Sequence, residues 1–204
     1  MNSRDHSPIT CQTVYLRSKP YILAHTSQQY SAAARACREI FLRKMSDYGL
    51  SWRILRPSSL TDQLYIKAQR IRSIEEKQTQ LVEDGIDSEF IGIVNYCAMA
   101  LIQIEKGPGQ DSDPEAVVEW YDQAVEGARA LMEKKNHDYG EAWRDMRVSS
   151  MTDLILVKLL RIKHIEDNDG KTQISEGVEA NYSDIMNYAI FALILRSEHK
   201  NSQV

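Results

Sequence analysis

Apolar residues recur at spacings of three and four through most of the chain, the period of a helix with one buried face. Tyr30, Ala33, Ala34, Cys37, Ile40 and Phe41 form the first such stripe, and Ser27 stands where an N-cap belongs. Gly49 can end this helix by taking a positive φ at low cost. The stretch from Gly49 to Ser59, which contains Pro57, predicts a connection. A second helix is expected from Ser59 or Thr61 to about Glu76. A third begins near Asp87 and carries Phe90, Ile91, Val94, Cys97, Ala98, Leu101 and Ile102 at helical spacing. Residues 107–114 read as a linker, closed by Asp113 as N-cap and Pro114 at the first helical position. The fourth helix follows, striped by Val117, Tyr121, Ala124, Ala128 and Leu131. A fifth runs from about Thr152 to Asp167, where Asp167-Asn168-Asp169-Gly170 breaks it, and a sixth from about Glu176 to Arg196. No stretch alternates with period two for long enough to predict a strand, so the expected fold class is all-α. Residues 1–26 hold Pro8 and Pro20 and show no clear period, which predicts a loosely ordered extension.

The stripes hide a duplication. Lys44, Asp47, Tyr48, Gly49, Trp52 and Arg53 recur as Lys135, Asp138, Tyr139, Gly140, Trp143 and Arg144. Thr61, Asp62, Lys67, Arg70 and Ile71 recur as Thr152, Asp153, Lys158, Arg161 and Ile162. One shift of 91 positions relates them without a gap from Lys44/Lys135 to Ile74/Ile165. After a small insertion the match resumes at Asn95-Tyr96 against Asn187-Tyr188. A match at one fixed offset marks an internal repeat. It divides the chain into modules 27–106 and 115–198, with a tail at 199–204. Two tandem three-helix modules packed as a pseudo-two-fold bundle are expected, since a module of about 80 residues buries only a modest core alone.

Composition narrows the partners. The formal net charge of −4 argues against general binding of duplex DNA, which wants a basic surface, but leaves room for a local phosphate site. Cys11, Cys37 and Cys97 have no CxxC spacing and read as thiols of a reducing compartment. No apolar run reaches membrane-spanning length and no signal peptide is visible, so a cytoplasmic location is expected and no membrane partner. His137, His164 and His199 form no ligand spacing, and GxxxxGK[ST], GxGxxG and HExxH are missing.

Three sets of polar residues carry candidate chemistry. Lys158 and Arg161, repeated as Lys67 and Arg70, lie about 60° apart on otherwise apolar helices. They point either to phosphate capture, Arg as a fork and Lys as a point charge, or to ion pairs with nearby carboxylates. Glu176, Glu179 and Asp184, with Asn187 three residues on, fall near one face of the sixth helix. Carboxylates so placed can hold Mg²⁺, or simply form a solvated polar face. The first copy departs here: Gly92 stands in the place of Asp184, and Asp87 in that of Glu179. Asp138, Tyr139, Trp143 and Arg144, with Asp47, Tyr48, Trp52 and Arg53 in the first copy, sit where a helix yields to a connection. Their aromatics suit base stacking and their arginines phosphate, or else they cap the helix and plug the bundle.

The motif Lys-Asn-x-Asp-Tyr-Gly-x-x-Trp, the Lys-x-x-Arg pair on a helix and the closing Asp-x-x-Asn-Tyr together resemble the first nucleotide-modification-associated domain, over roughly residues 27 to 196. That family is similar in turn to MazG-type all-helical nucleoside-triphosphate pyrophosphohydrolases. The resemblance implies a nucleotide-handling protein. In its enzymatic form Glu176, Glu179 and Asp184 would hold Mg²⁺. Lys135, Arg144, Lys158 and Arg161, or Lys44, Arg53, Lys67 and Arg70 in the first copy, would meet phosphates. Tyr139 and Trp143 would hold the base. Asn95 and Asn187 belong to the motif without a specified role. The alternatives are a non-catalytic nucleotide-binding module and a purely structural helical homo-oligomer.

Overall fold

The computed structural model describes residues 11–81, 83–109, 111–172, 174 and 176–201, with side chains from His25 onward. Six α-helices follow in order: α1 (Cys11–Tyr48), α2 (Pro57–Lys77), α3 (Ile86–Lys106), α4 (Pro114–Tyr139), α5 (Val148–Asp167) and α6 (Val178–Asn201). A 3-10 turn joins α1 to α2 at Ser51–Ile54, and its counterpart joins α4 to α5 at Ala142–Asp145. Among the described residues there is no strand, and no helix is long and apolar enough to cross a membrane.

Several boundaries differ from the sequence expectation. α1 starts at Cys11 rather than near Ser27, running through Pro20. Residues 1–10 of the expected extension, and the side chain of Cys11, lie outside the described part. α2 begins at Pro57, which takes the first helical position, where its missing N–H costs nothing. α5 begins about a turn early at Val148, so Ser149 and Ser150 are helical and not connecting. α6 starts after Glu176 and continues to Asn201, into the expected tail. Elsewhere local chemistry gave the ends. The Asp113 carboxylate accepts from the Glu115 amide at 3.2 Å and caps α4. Gly49 and Gly140 end α1 and α4 at φ +61° and +63°.

α3 and α6 pack against each other at the centre, α2 against α3, α5 against α6, and α2 against α5. α1 and α4 lie over α3 and α6. The buried stripes of α2 and α5 are the same stripe twice: Leu64, Ala68 and Ile71 answer to Ile155, Leu159 and Ile162. Each of the larger ones removes enough apolar area to contribute about 2 kcal/mol. Cys37 and Cys97 are buried free thiols, and burial pushes the Cys37 thiol up to about 12.

The polar contacts cross between the copies in reciprocal pairs. Thr61 donates to Glu166 at 2.8 Å, and Thr152 to Glu75 at 3.3 Å. Lys163 pairs with Asp62, and Arg72 meets Asp153 at 3.7 Å. The Tyr30 hydroxyl donates to Asn187 at 2.8 Å, and the Tyr121 hydroxyl to Asn95 at 2.7 Å. A contact i–j matched by j′–i′ is the signature of an isologous two-fold interface, here within one chain.

Candidate functional site

In the second module, α4, α5 and α6 bring Lys135, Lys158 and Asp184 together. Asp184 is 6% exposed and meets two ammonium groups: Lys135 from α4 at 2.6 Å and Lys158 from α5 at 2.6 Å. Lys158 also donates to the side-chain amide oxygen of Asn181, Oδ1, at 3.5 Å. For Lys135, burial lowers the pKa, but the bond to Asp184 together with the charges of Asp184 and Glu176 raises it overall. Tyr188, half-buried, sits within electrostatic reach of Asp184, Lys135, Arg161 and Tyr139. Burial raises its phenol, Asp184 adds to the rise, and Lys135 and Arg161 oppose it.

Arg161 stands apart from this pairing. No carboxylate lies within 4 Å of its guanidinium among the described residues. It edges an open cleft of about 1190 Å³ between the end of α5 and the start of α6, together with His164, Lys171 and Asn181. Asp167, Asp169 and Glu176 share the rim, so the cleft is not uniformly basic.

The first module resolves the same residues differently. Glu89 on α3, nearly buried, binds Lys67 at 3.1 Å and also Arg70. A second arm of the Arg70 fork donates to the Asp84 carbonyl at 2.8 Å. Lys67 lies 5.7 Å over the Tyr96 ring. Lys44 is exposed at the end of α1, with no ion pair among the described residues.

The motif after α1 and α4 divides by exposure. Tyr48 and Tyr139 are 69% and 74% exposed, and Asp47 and Asp138 are exposed beside them. Trp143 is buried and stacks on Phe191 at 4.1 Å, while Trp52 meets Phe41 edge-on at 6.4 Å. Neither buried indole N–H has an acceptor among the described residues. Arg144 binds Glu141 at 2.9 Å, Glu198 at 3.1 Å, Gln29 at 2.7 Å and the hydroxyl of Thr26. Arg53 is 2% exposed with no acid paired to it among the described residues. Its guanidinium donates to Gln103 and to the Gly109 carbonyl at 3.3 Å, between the Trp52 and Trp120 rings, and burial lowers its pKa. Both arginines therefore tie segments together: Arg53 the linker, Arg144 the start of α1 and the end of α6.

The acids expected to share a face do not gather. Glu176 precedes α6 and, like Glu179 in its first turn, is exposed, while Asp184 is buried behind two lysines. Among the described residues no three His, Cys, Asp or Glu side chains are grouped to hold a metal ion. As arranged, the set does not fit a magnesium centre: Mg²⁺ wants oxygen donors in octahedral geometry, and both oxygens of Asp184 already face cations. The face that carries these acids is solvated only at the start of α6, and is interior from Asp184 onward through Asn187 and Phe191.

Sequence reasoning passed over Glu89 and Asn181, which decide the pairing of the basic residues, and Tyr30 and Tyr121, which anchor the motif asparagines. The shift of 92 that aligns Asn95 with Asn187 also aligns Glu89 with Asn181. The shift of 91 continues upstream to Tyr30/Tyr121. Following both offsets past the conserved-looking stretch was the available signal.

A family model described as nucleotide modification associated domain 1 matches the chain twice, at residues 44–104 and 135–195. Each match covers one module, from the end of its first helix to its third. Among curated proteins and among solved structures nothing matches the chain.

Proposed function

Since the chain belongs to the nucleotide modification associated domain 1 family, we propose that it works as a nucleotide-binding module whose second half takes the phosphates of a nucleoside triphosphate. The observation that supports this is Arg161, a forked cation with no acid partner among the described residues, at the edge of an open cleft. A guanidinium so placed offers two parallel N–H donors to a phosphate. Lys158 and Lys135 share the single carboxylate of Asp184, which offsets only part of their charge. Tyr139, largely exposed at the end of α4, offers a ring on which a base can stack. The residues present do not supply a metal-activated water, so the reading is binding and not hydrolysis.

Thermal denaturation of the protein in EDTA, with each common nucleoside triphosphate in turn, tests it. At least one is expected to raise Tm, and Arg161→Gln to weaken its binding about tenfold, one charge-assisted contact's worth. Pyrophosphate release on adding Mg²⁺, abolished in Asp184→Asn, would replace this reading with a MazG-like pyrophosphohydrolase.

A further inference from the structure

The two modules hold the same three cations: Lys44, Lys67 and Arg70 in the first, Lys135, Lys158 and Arg161 in the second. Each module also supplies one buried carboxylate to them, but from positions a helical turn apart. In the first it is Glu89, with Gly92 following; in the second Asn181 replaces that acid and Asp184 carries the charge. The two arrangements also differ in the room they leave the lysine. A Cβ added at Gly92 would lie 2.8 Å from the Lys67 Cε, so a side chain at residue 92 would push the flexible end of Lys67 aside. The position of the acid therefore decides which cation is left over. Glu89 takes Lys67 and Arg70, leaving Lys44, a solvated lysine. Asp184 takes Lys135 and Lys158, leaving Arg161 at the cleft.

Resting on the phosphate-binding reading above, we propose that Glu89 occupies in the first module the place that a phosphate takes in the second, so that the chain binds one polyphosphate ligand and not two. The carboxylate of Glu89 meets the Lys-x-x-Arg pair as an anionic ligand would, one oxygen to each cation. The first module is thus closed by its own side chain, and the second is open because Asn181 brings no charge.

Calorimetric titration of the full chain, without metal, with inorganic tripolyphosphate and separately with a nucleoside triphosphate, tests the assignment. One site per chain is expected. Asn181→Glu, which installs the acid of the first module, should weaken that site at least tenfold, and well beyond any effect of Asn181→Gln, which alters the side chain without adding charge. Glu89→Asn, which removes the internal anion, should raise the stoichiometry to two, the added site disappearing again in Glu89→Asn/Arg70→Gln. Two sites in the wild type, or binding that survives Asn181→Glu, would overturn the assignment while leaving nucleotide binding in place. Tripolyphosphate bound once and lost in Asn181→Glu, with every nucleotide refused, would sink the nucleotide reading and keep the assignment. Refusal of both ligands by the wild type would overturn both. The Asn181 variants suffice for the decision even where Glu89→Asn lowers stability.

Discussion

Asn187 shows how one residue of a motif can be kept for architecture. It accepts from the Tyr30 hydroxyl and donates to the Ala128 carbonyl at 2.9 Å, joining α1, α4 and α6 in the interior. Asn95 does the same between Tyr121 and the Cys37 carbonyl. A buried amide with both ends satisfied is a strong constraint, because losing one partner leaves the other without water to replace it. Tyr30→Phe is expected to cost about 1–3 kcal/mol in urea denaturation, the cost of stranding the Asn187 oxygen. Tyr121→Phe should cost a similar amount, and exposed Tyr139→Phe nothing measurable; equal effects at all three would contradict a clamp role. Asp184→Asn leaves Lys158, mostly buried, without its charge partner. A loss of about 3 kcal/mol is expected, the lower end for breaking a buried pair because Lys135 is partly solvated.

At the scale of the element, α2 and α5 carry matching glutamates whose environment makes them sensitive to pH. Glu75 and Glu166 are half-buried against the neighbouring module, and burial is the main cause that raises both pKa values, with Thr152 and Thr61 pulling the other way. The folded chain thus holds these protons more tightly than the unfolded chain. Their contribution to stability is fully present below the ordinary glutamate value and is lost as pH rises through the raised folded value. Gln resembles the protonated acid and still accepts the threonine hydrogen bond. Glu75→Gln/Glu166→Gln is therefore expected to gain stability relative to the wild type at pH 7 and to lose that advantage as the pH approaches 4. Urea midpoints across that range check it; a gain independent of pH would show that ionisation is not the cause.

For the whole molecule, the reciprocal contacts mean that neither module owns its core. Tyr30 of the first satisfies Asn187 of the second, and Thr61 of the first bonds Glu166 and Tyr182 of the second. A chain built this way should unfold in one cooperative transition, with calorimetric and van't Hoff enthalpies equal. Two resolved transitions, or one module's tryptophan fluorescence changing first, would show that the halves are separable. The copies are nonetheless unequal at the surface. Asp87 in the first module is drawn into pairs with Arg196 and Lys200, where burial is outweighed and its carboxyl is held below the usual range. Glu179, its counterpart, stays exposed.

The sequence by itself determined the helices, their number and the duplication, because period and offset are properties of one dimension. Stripes at three and four positions located six helices, and one shift recovered both modules. Even the ends came from local chemistry where it was strong, as at Asp113-Pro114 and Gly140, and slipped by a turn where it was weak, as at Val148. The tertiary structure decided which residues meet. A helical wheel gives directions around one axis, and cannot say that the acidic face of α6 is interior from Asp184 onward or that Asp184 will find lysines from two other helices. The three cations of each module, and Asp184 in the second, were legible in the sequence, whereas Glu89 in the first was passed over. Which cations each acid meets, Lys67 and Arg70 for Glu89 but Lys135 and Lys158 for Asp184, follows from how three helices converge, and only their packing fixes that.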